Sequence, residues 1–321
     1  MKLRGAGVSL LSNDTVSQFD KLRAKLAKVK EAGFDAVELP IAGMKLIVNG
    51  AIDRARLDAY VGLLREFPLQ VTVHAPFDMN LFRQDHLQSE QRVFMASLEI
   101  AGAIGAQMMV YHVGRFVGEE QFMHPHTWKI YSESEKQRLM EEEIEFLRLA
   151  GNRARQLSLR IGMENMRPYL DCRDYCYSVI PQALALQVEA INHPHVGIAL
   201  DVGHLHMAVR MYELNLRQQL EAMLPYVMHL HIHDNFGRAS FSTEKNQYEL
   251  VQLGRGDMHV PIGNGEVPIR EIVSMLAPTF DGFLIHEIRD QYESVWAELP
   301  KRFDQLPDAG TAGDGLRTFA G

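Results

Sequence analysis

The sequence predicts an α/β protein built as a single (β/α)8 TIM barrel, on three observations. Eight short apolar, β-type runs alternate with longer helical segments. That alternation is the pattern of a parallel sheet, and eight units suffice to close it. The chain has 321 residues, which accommodates a barrel of about 250 residues with extended loops. Six of the runs also end in His, Glu or Asp: VTVHAP with His74, MMVYHVG with His112, RIGMENM with Glu164, GIALDVGH with Asp201 and His204, VMHLHIHD with His231, and FLIHEIR with Glu287. Parallel strands end on one face, so these side chains are expected to converge on one divalent metal site.

The strand-like runs fall at 3–10, 35–40, 71–76, 108–114, 160–166, 196–202, 227–234 and 283–288. The first helix is expected over 16–32, where Val16, Phe19, Leu22, Leu26 and Val29 form one stripe. Helical segments over 52–66, 89–105, 132–157, 176–192, 212–224, 267–277 and 291–303 supply the rest. Two connections, 115–131 and 235–266, exceed the usual two to six residues. Both follow strands, so both belong to the face that carries an active site. Residues 1–304 are assigned to the barrel. Residues 305–321, polar and Gly-rich, are assigned to a loosely ordered tail.

Composition narrows the function classes. Hydrophobic residues make up 46% and charged residues 23%, ordinary values for a globular enzyme. A net charge of −8, from 33 basic and 41 acidic residues, argues against a sequence-wide nucleic-acid surface. No run approaches the about 20 apolar residues of a membrane helix, and the start lacks a secretory signal. A cytoplasmic protein is expected. Cys172 and Cys176, with three residues between them and no second pair, do not form a zinc-knuckle pair and read as reduced thiols.

The metal-ligating candidates follow from strand periodicity. His229, His231 and His233 alternate with Met228, Leu230 and Ile232, so the three imidazoles share one strand face. Facing the helix layer they would be buried without partners, so the inner face is preferred. Glu164 and Glu287 each end an apolar strand, where a carboxylate needs a cation or a buried ion pair with an Arg. Asp201 and His204 lie across DVGH, where Gly203 is expected to permit a sharp bend. His74 and His112 are read either as ligands or as structural histidines. Asp257 and His259, in GDMH, can face one side of an extended loop. Glu38 is an inward carboxylate in a polar network or a substrate hydrogen-bond acceptor. His86, His124, His126, His193 and His195 are expected in solvent, and His206 and His286 are left without a role.

With these residues the chain resembles the xylose-isomerase-like TIM barrels. That superfamily holds sugar and sugar-phosphate isomerases and epimerases, and also the endonuclease IV relatives (AP endonuclease family 2). In the isomerase and epimerase branch the resemblance makes Glu164, Asp201, His231 and Glu287 ligands of one divalent metal, Zn, Mn, Fe or Co. It implies isomerisation or epimerisation of a sugar, sugar phosphate or related polyol. Proton transfer would pass through a metal-bound enediolate, with Glu164 and Glu287 as base and acid. His204, Arg289, His233 and Glu38 are the candidate substrate contacts, Arg289 because it shares the face of Glu287. In the endonuclease IV branch nine ligands hold three zinc ions. The matching positions are His74, His112, Glu164, Asp201, His204, His231, Asp257, His259 and Glu287. That branch implies a phosphodiesterase acting on abasic DNA; Arg83, Arg115, Arg167, Arg173, Arg238 and Arg255, in post-strand positions, are read for it as a phosphate-binding rim, or else as solvated loop charge or contacts to one substrate phosphate. DVGH and His-Ile-His-Asp stand where that branch carries DTCH and His-Leu-Asn-Asp. The resemblance therefore implies one to three ions and a small sugar partner, with nucleic acid only under the alternative. Oligomeric state is not readable from it.

Overall fold

The computed structural model describes residues 1–244 and 249–304. The expected tail, 305–321, and part of the connection 235–266 lie outside the described residues.

Eight parallel strands close into a barrel: β1 (Lys2–Ser9), β2 (Ala36–Pro40), β3 (Gln70–His74), β4 (Met108–His112), β5 (Arg160–Glu164), β6 (Val196–Asp201), β7 (Val227–Ile232) and β8 (Asp281–His286). Each pairs with its sequence neighbours, and β8 closes on β1. The expected runs match these strands to within two residues at each end.

The outer layer contains α1 (Phe19–Glu31), α2 (Arg54–Leu64), α3 (Leu87–Ala103), α4 (Glu133–Gln156), α5 (Pro181–Ile191), α6 (Val202–Tyr212), α7 (Leu216–Met223), α8 (Ile269–Leu276) and α9 (Leu299–Asp304). The longest, α4, starts at a capping box. The Ser132 hydroxyl accepts the Glu135 N–H, and the Glu135 carboxylate accepts the Ser132 N–H. Such a cap contributes about 1 kcal/mol. Leu139, Leu147, Ala150 and Ala154 form its buried stripe. Among the described residues no helix is long and apolar enough to cross a membrane.

Three expectations are corrected. The stripe over 16–32 is divided, because Gln18 is extended (φ −113°, ψ 113°) between Asn13–Ser17 and α1. Val16, Leu22, Leu26 and Val29 are nonetheless fully buried. The helix expected over 291–303 begins as a 3-10 segment, Asp290–Glu298. The third correction is α6, absent from the sequence reading. It starts immediately after β6, with Asp201 as its N-cap accepting the His204 N–H. Gly203 therefore makes no sharp bend. It is required by packing, since a Cβ there would lie 2.1 Å from the His233 ring.

Inside the barrel, Ala36, Met108, Val110, Ala199, Phe283 and Ile285 form a separate apolar plug. Burying one large apolar side chain contributes about 1.5–3 kcal/mol, so this plug and the helix-facing core support the polar residues at the strand ends.

Candidate metal centre at the barrel mouth

Strand register brings the ligands together. His112 and Glu164 are direct partners across β4 and β5, as are Asp201 and His231 across β6 and β7. Glu287, one residue beyond β8, donates its N–H to Ile232 and so stays beside β7. The alternation of β7 sends His229, His231 and His233 to the barrel interior, where all three are fully buried.

The donors gather in three contiguous groups. In the first, Nε2 of His74 and Nε2 of His112 each lie 3.2 Å from Oε2 of Glu164. In the second, Nδ1 of His231 lies 3.4 Å from Oε1 of Glu164 and 3.1 Å from Oε2 of Glu287. Asp201 joins these three, and all four donors fall within 4.8 Å of one another. In the third, Oδ2 of Asp257 lies 3.1 Å from Nε2 of His204 and 2.8 Å from Nε2 of His259. His233 links the second and third groups: its Nε2 is 3.1 Å from both oxygens of Asp201 and 3.6 Å from Oδ1 of Asp257.

Hydrogen bonding shows that this set suits a divalent cation. His74, His204 and His259 each donate Nδ1–H to a backbone carbonyl, that of Ala75 (2.8 Å), Asn165 (2.9 Å) and Glu287 (2.8 Å) respectively. A carbonyl only accepts, so in the neutral ring Nε2 carries a lone pair. All three lone pairs then face a carboxylate oxygen, which is repulsive unless a cation or a second proton lies between them. Fixing the ring by its distal N–H is how proteins orient metal-binding histidines. The separations agree as well. Metal–ligand bonds of about 2.0–2.1 Å put neighbouring donors about 3.0–3.4 Å apart. Further, Nδ1 of His231 is buried near two carboxylates yet off the line of a hydrogen bond to either.

The electrostatics show the same need for positive charge. Burial alone would lower the His204 pKa, but Asp201 and Asp257 outweigh it and lift it to about 10. Burial likewise opposes charge on His233, and Asp201 lifts it to about 9. Burial would raise Glu164, yet His112, His231 and His74 hold its carboxyl well below the usual range. His112 is the exception: burial, outweighing Glu164, takes it down to about 4.

The remaining candidates are distributed as follows. Glu38 is fully buried below the mouth, 3.0 Å from His229 Nε2, and accepts the Thr72 hydroxyl. Arg289 donates to the carbonyls of Met258 and Asp257, bracing the loop that holds Asp257 and His259. The six arginines expected at a phosphate rim are engaged within the chain. Arg83 pairs with Glu90 and Glu120, Arg255 with Glu244, and Arg167 with Asp257. Arg115 is buried and donates to the carbonyls of Phe77 and Met79. Arg173 donates to the Met211 carbonyl, and Arg238 lies over the Phe236 ring. His206 and His286 are buried, and burial takes both to about 4. They are neutral packing residues. His193 and His195, expected in solvent, are half-buried, and His195 donates to the Leu159 carbonyl. Both cysteines are buried, which raises Cys172 to about 12 and Cys176 to about 11, as inert thiols require.

Two site residues had no role in the sequence reading, Asn165 and Asp234, the latter noted only as the end of the His-Ile-His-Asp motif. Asn165 exchanges two hydrogen bonds with the Asp201 backbone while its own carbonyl holds His204. Its only signal was its place after Glu164 at a strand end. Asp234 accepts the N–H groups of Gly263, Gly265 and Val267 and so anchors the GNG turn, a role visible only once the loop is folded.

The fold resembles that of several solved structures. A D-tagatose 3-epimerase-like protein is 20% identical, with a TM-score of 0.66 over 94% of this chain and 97% of that one. D-allulose 3-epimerase from Methylomonas sp., in complex with D-allulose, is 12% identical, with a TM-score of 0.65 over 95% and 98%. A xylose isomerase-like TIM barrel protein from Mycobacterium smegmatis, in complex with magnesium, is 17% identical, with a TM-score of 0.63 over 90% and 88%. At such identities the likeness establishes the fold. No curated protein matches the sequence. The pattern of the xylose isomerase-like TIM barrel family does match, over residues 26–314, and the chain belongs to that family.

Proposed function

We propose that the chain is a divalent-metal-dependent isomerase or epimerase of a sugar, sugar phosphate or related polyol. The observation that carries this reading is the pair of carboxylates, Glu164 and Glu287, meeting at Nδ1 of His231 with Asp201 completing the group. A divalent cation held there supplies Lewis-acid polarisation of a substrate carbonyl and the hydroxyl beside it. The two glutamates are then placed to move a proton. One takes it from the hydroxyl-bearing carbon beside the carbonyl, leaving an enediolate, and the other returns a proton to complete inversion or carbonyl transfer. His204 and His233 hold Asp257 and Asp201 in place. The sugars named for proteins of similar fold, D-allulose, D-tagatose and D-fructose among them, support a ketose substrate.

The test is proton exchange. Metal-loaded protein in D2O should place deuterium on the carbon beside the carbonyl of at least one ketose from a panel that includes D-allulose, D-tagatose and L-ribulose. A panel of free and phosphorylated ketoses that exchanges no faster than without protein would contradict the reading.

One observation favours a second reading, a metal-dependent phosphodiesterase acting on abasic DNA. Glu164 links the four-donor group to His74 and His112, and His233 links it to Asp257, with His204 and His259 beyond. A single cation does not account for these outer donors. The internal engagement of the arginines weighs against this reading. Incision of an oligonucleotide with one abasic site tests it.

A further inference from the structure

We propose that Glu38 is a positioning residue for His231, fixing that ring so that Nδ1 faces Glu164, Asp201 and Glu287. The inference rests on the divalent-cation reading of the mouth. Below the mouth the barrel holds another polar layer: Glu38 on β2, Thr72 on β3 and His229 on β7, all fully buried. Oε2 of Glu38 accepts the Thr72 hydroxyl at 3.0 Å and lies 3.0 Å from His229 Nε2. These contacts hold the carboxylate in place, so it is not available to a substrate at the mouth. Oε1 lies 2.8 Å from Nε2 of His231; both atoms are buried, the contact is an ion-pair approach off the line of a hydrogen bond, and neither atom has a hydrogen-bond partner elsewhere.

His231 therefore has carboxylates at both ends. Glu38 faces Nε2, while Glu164 and Glu287 face Nδ1. A neutral imidazole carries one N–H, and the Glu38 carboxylate only accepts. With Glu38 below, the N–H belongs on Nε2, and Nδ1 presents its lone pair to the mouth. The glutamate also makes the ring a stronger donor, as a carboxylate behind a ligating histidine does. Glu38, His229 and His231 by themselves resemble a cation-binding trio. The Thr72 hydroxyl on Oε2 and the shared His231 ring assign that layer to protons instead.

The experiment compares Zn2+ affinity of the full-length wild type, Glu38→Gln and Thr72→Val by competition with a chromophoric chelator. Far-UV circular dichroism monitors folding. Glu38→Gln should bind Zn2+ about 10–100-fold more weakly, and Thr72→Val should shift affinity in the same direction by less. Because a buried substitution can prevent folding, the zinc-loaded wild type is also observed by 15N NMR with labelled histidine. His231 should appear as the Nε2–H form with Nδ1 bound to zinc. A folded Glu38→Gln protein with wild-type affinity, or an Nδ1–H form of His231, would overturn the proposal while leaving the cation reading intact. A wild type that binds no Zn2+ would overturn both.

Discussion

His204 donates its Nδ1–H to the backbone carbonyl of Asn165 across 2.9 Å, and that contact decides what the rest of the ring does. Its Nε2 faces Asp257 at 3.1 Å. In the metal-free protein the favourable arrangement puts a second proton on the ring, consistent with a pKa lifted to about 10. A divalent cation held between His204 and Asp257, beyond the four-donor group, would displace that proton. Zinc binding near pH 7.5 should therefore release at least one proton per chain. Calorimetry in two buffers of different ionisation enthalpy measures the number. Zinc binding without proton release would contradict the tautomer argument.

Stability should follow the same groups. His204 and His233 have folded-state pKa values of about 10 and about 9, above the ordinary 6.5. A raised histidine contributes stability that is fully present below about pH 6.5 and lost as pH rises through the folded value. The chelator-treated protein should lose Tm between pH 7 and pH 10, and His204→Gln should flatten that slope. Thermal melts followed by circular dichroism across this range check it. An apo Tm that climbs over the same interval contradicts the assignment.

The two glutamates should be needed for turnover more than for folding. Removing a general acid or base costs roughly 10²–10⁴-fold in rate. Glu164→Gln and Glu287→Gln should each lower kcat for ketose exchange by that order while the circular dichroism spectrum stays native. Glu164→Gln should also weaken metal binding more, because Glu164 serves two donor groups. Wild-type turnover in either variant would remove the proton-transfer role.

Gly203 offers a steric test. A Cβ at this position would lie 2.1 Å from the His233 ring, and that ring holds both oxygens of Asp201. Gly203→Ala should cost about 1–3 kcal/mol, the usual range for overpacking. It should also displace Asp201 and weaken metal binding. Denaturant melts and zinc titration measure the two effects. A variant with unchanged stability and affinity would show that the His233 ring moves aside freely and does not hold Asp201 for the metal.

The barrel was legible because each strand states its face by alternation and its end by a polar residue. Glu164, Asp201, His231 and Glu287 stood out for the same reason: a carboxylate or imidazole closing an apolar run has few inexpensive environments. Asn165, Asp234 and the support role of His233 were not legible. Their contacts depend on how α6 and the 257–267 loop fold back over the strand ends, and no local pattern encodes that return. The helix α6 was missed because DVGH reads as a turn, whereas Asp201 caps a helix that begins at once. The arginines show contacts that their sequence positions did not announce. Their sequence positions suggested a rim, and five of the six contact acidic side chains or carbonyls of the chain while Arg238 lies over a ring.

The most direct test is metal content. Protein stripped with chelator, reloaded with Zn2+ or Mn2+ and freed of excess metal should retain at least one ion per chain by elemental analysis. Asp201→Asn and Glu164→Gln should retain less. One retained ion fits the epimerase reading, and three fit the phosphodiesterase. Retention of no Zn2+ or Mn2+ by the folded wild type would contradict the claim that these carboxylates and imidazoles form a metal centre.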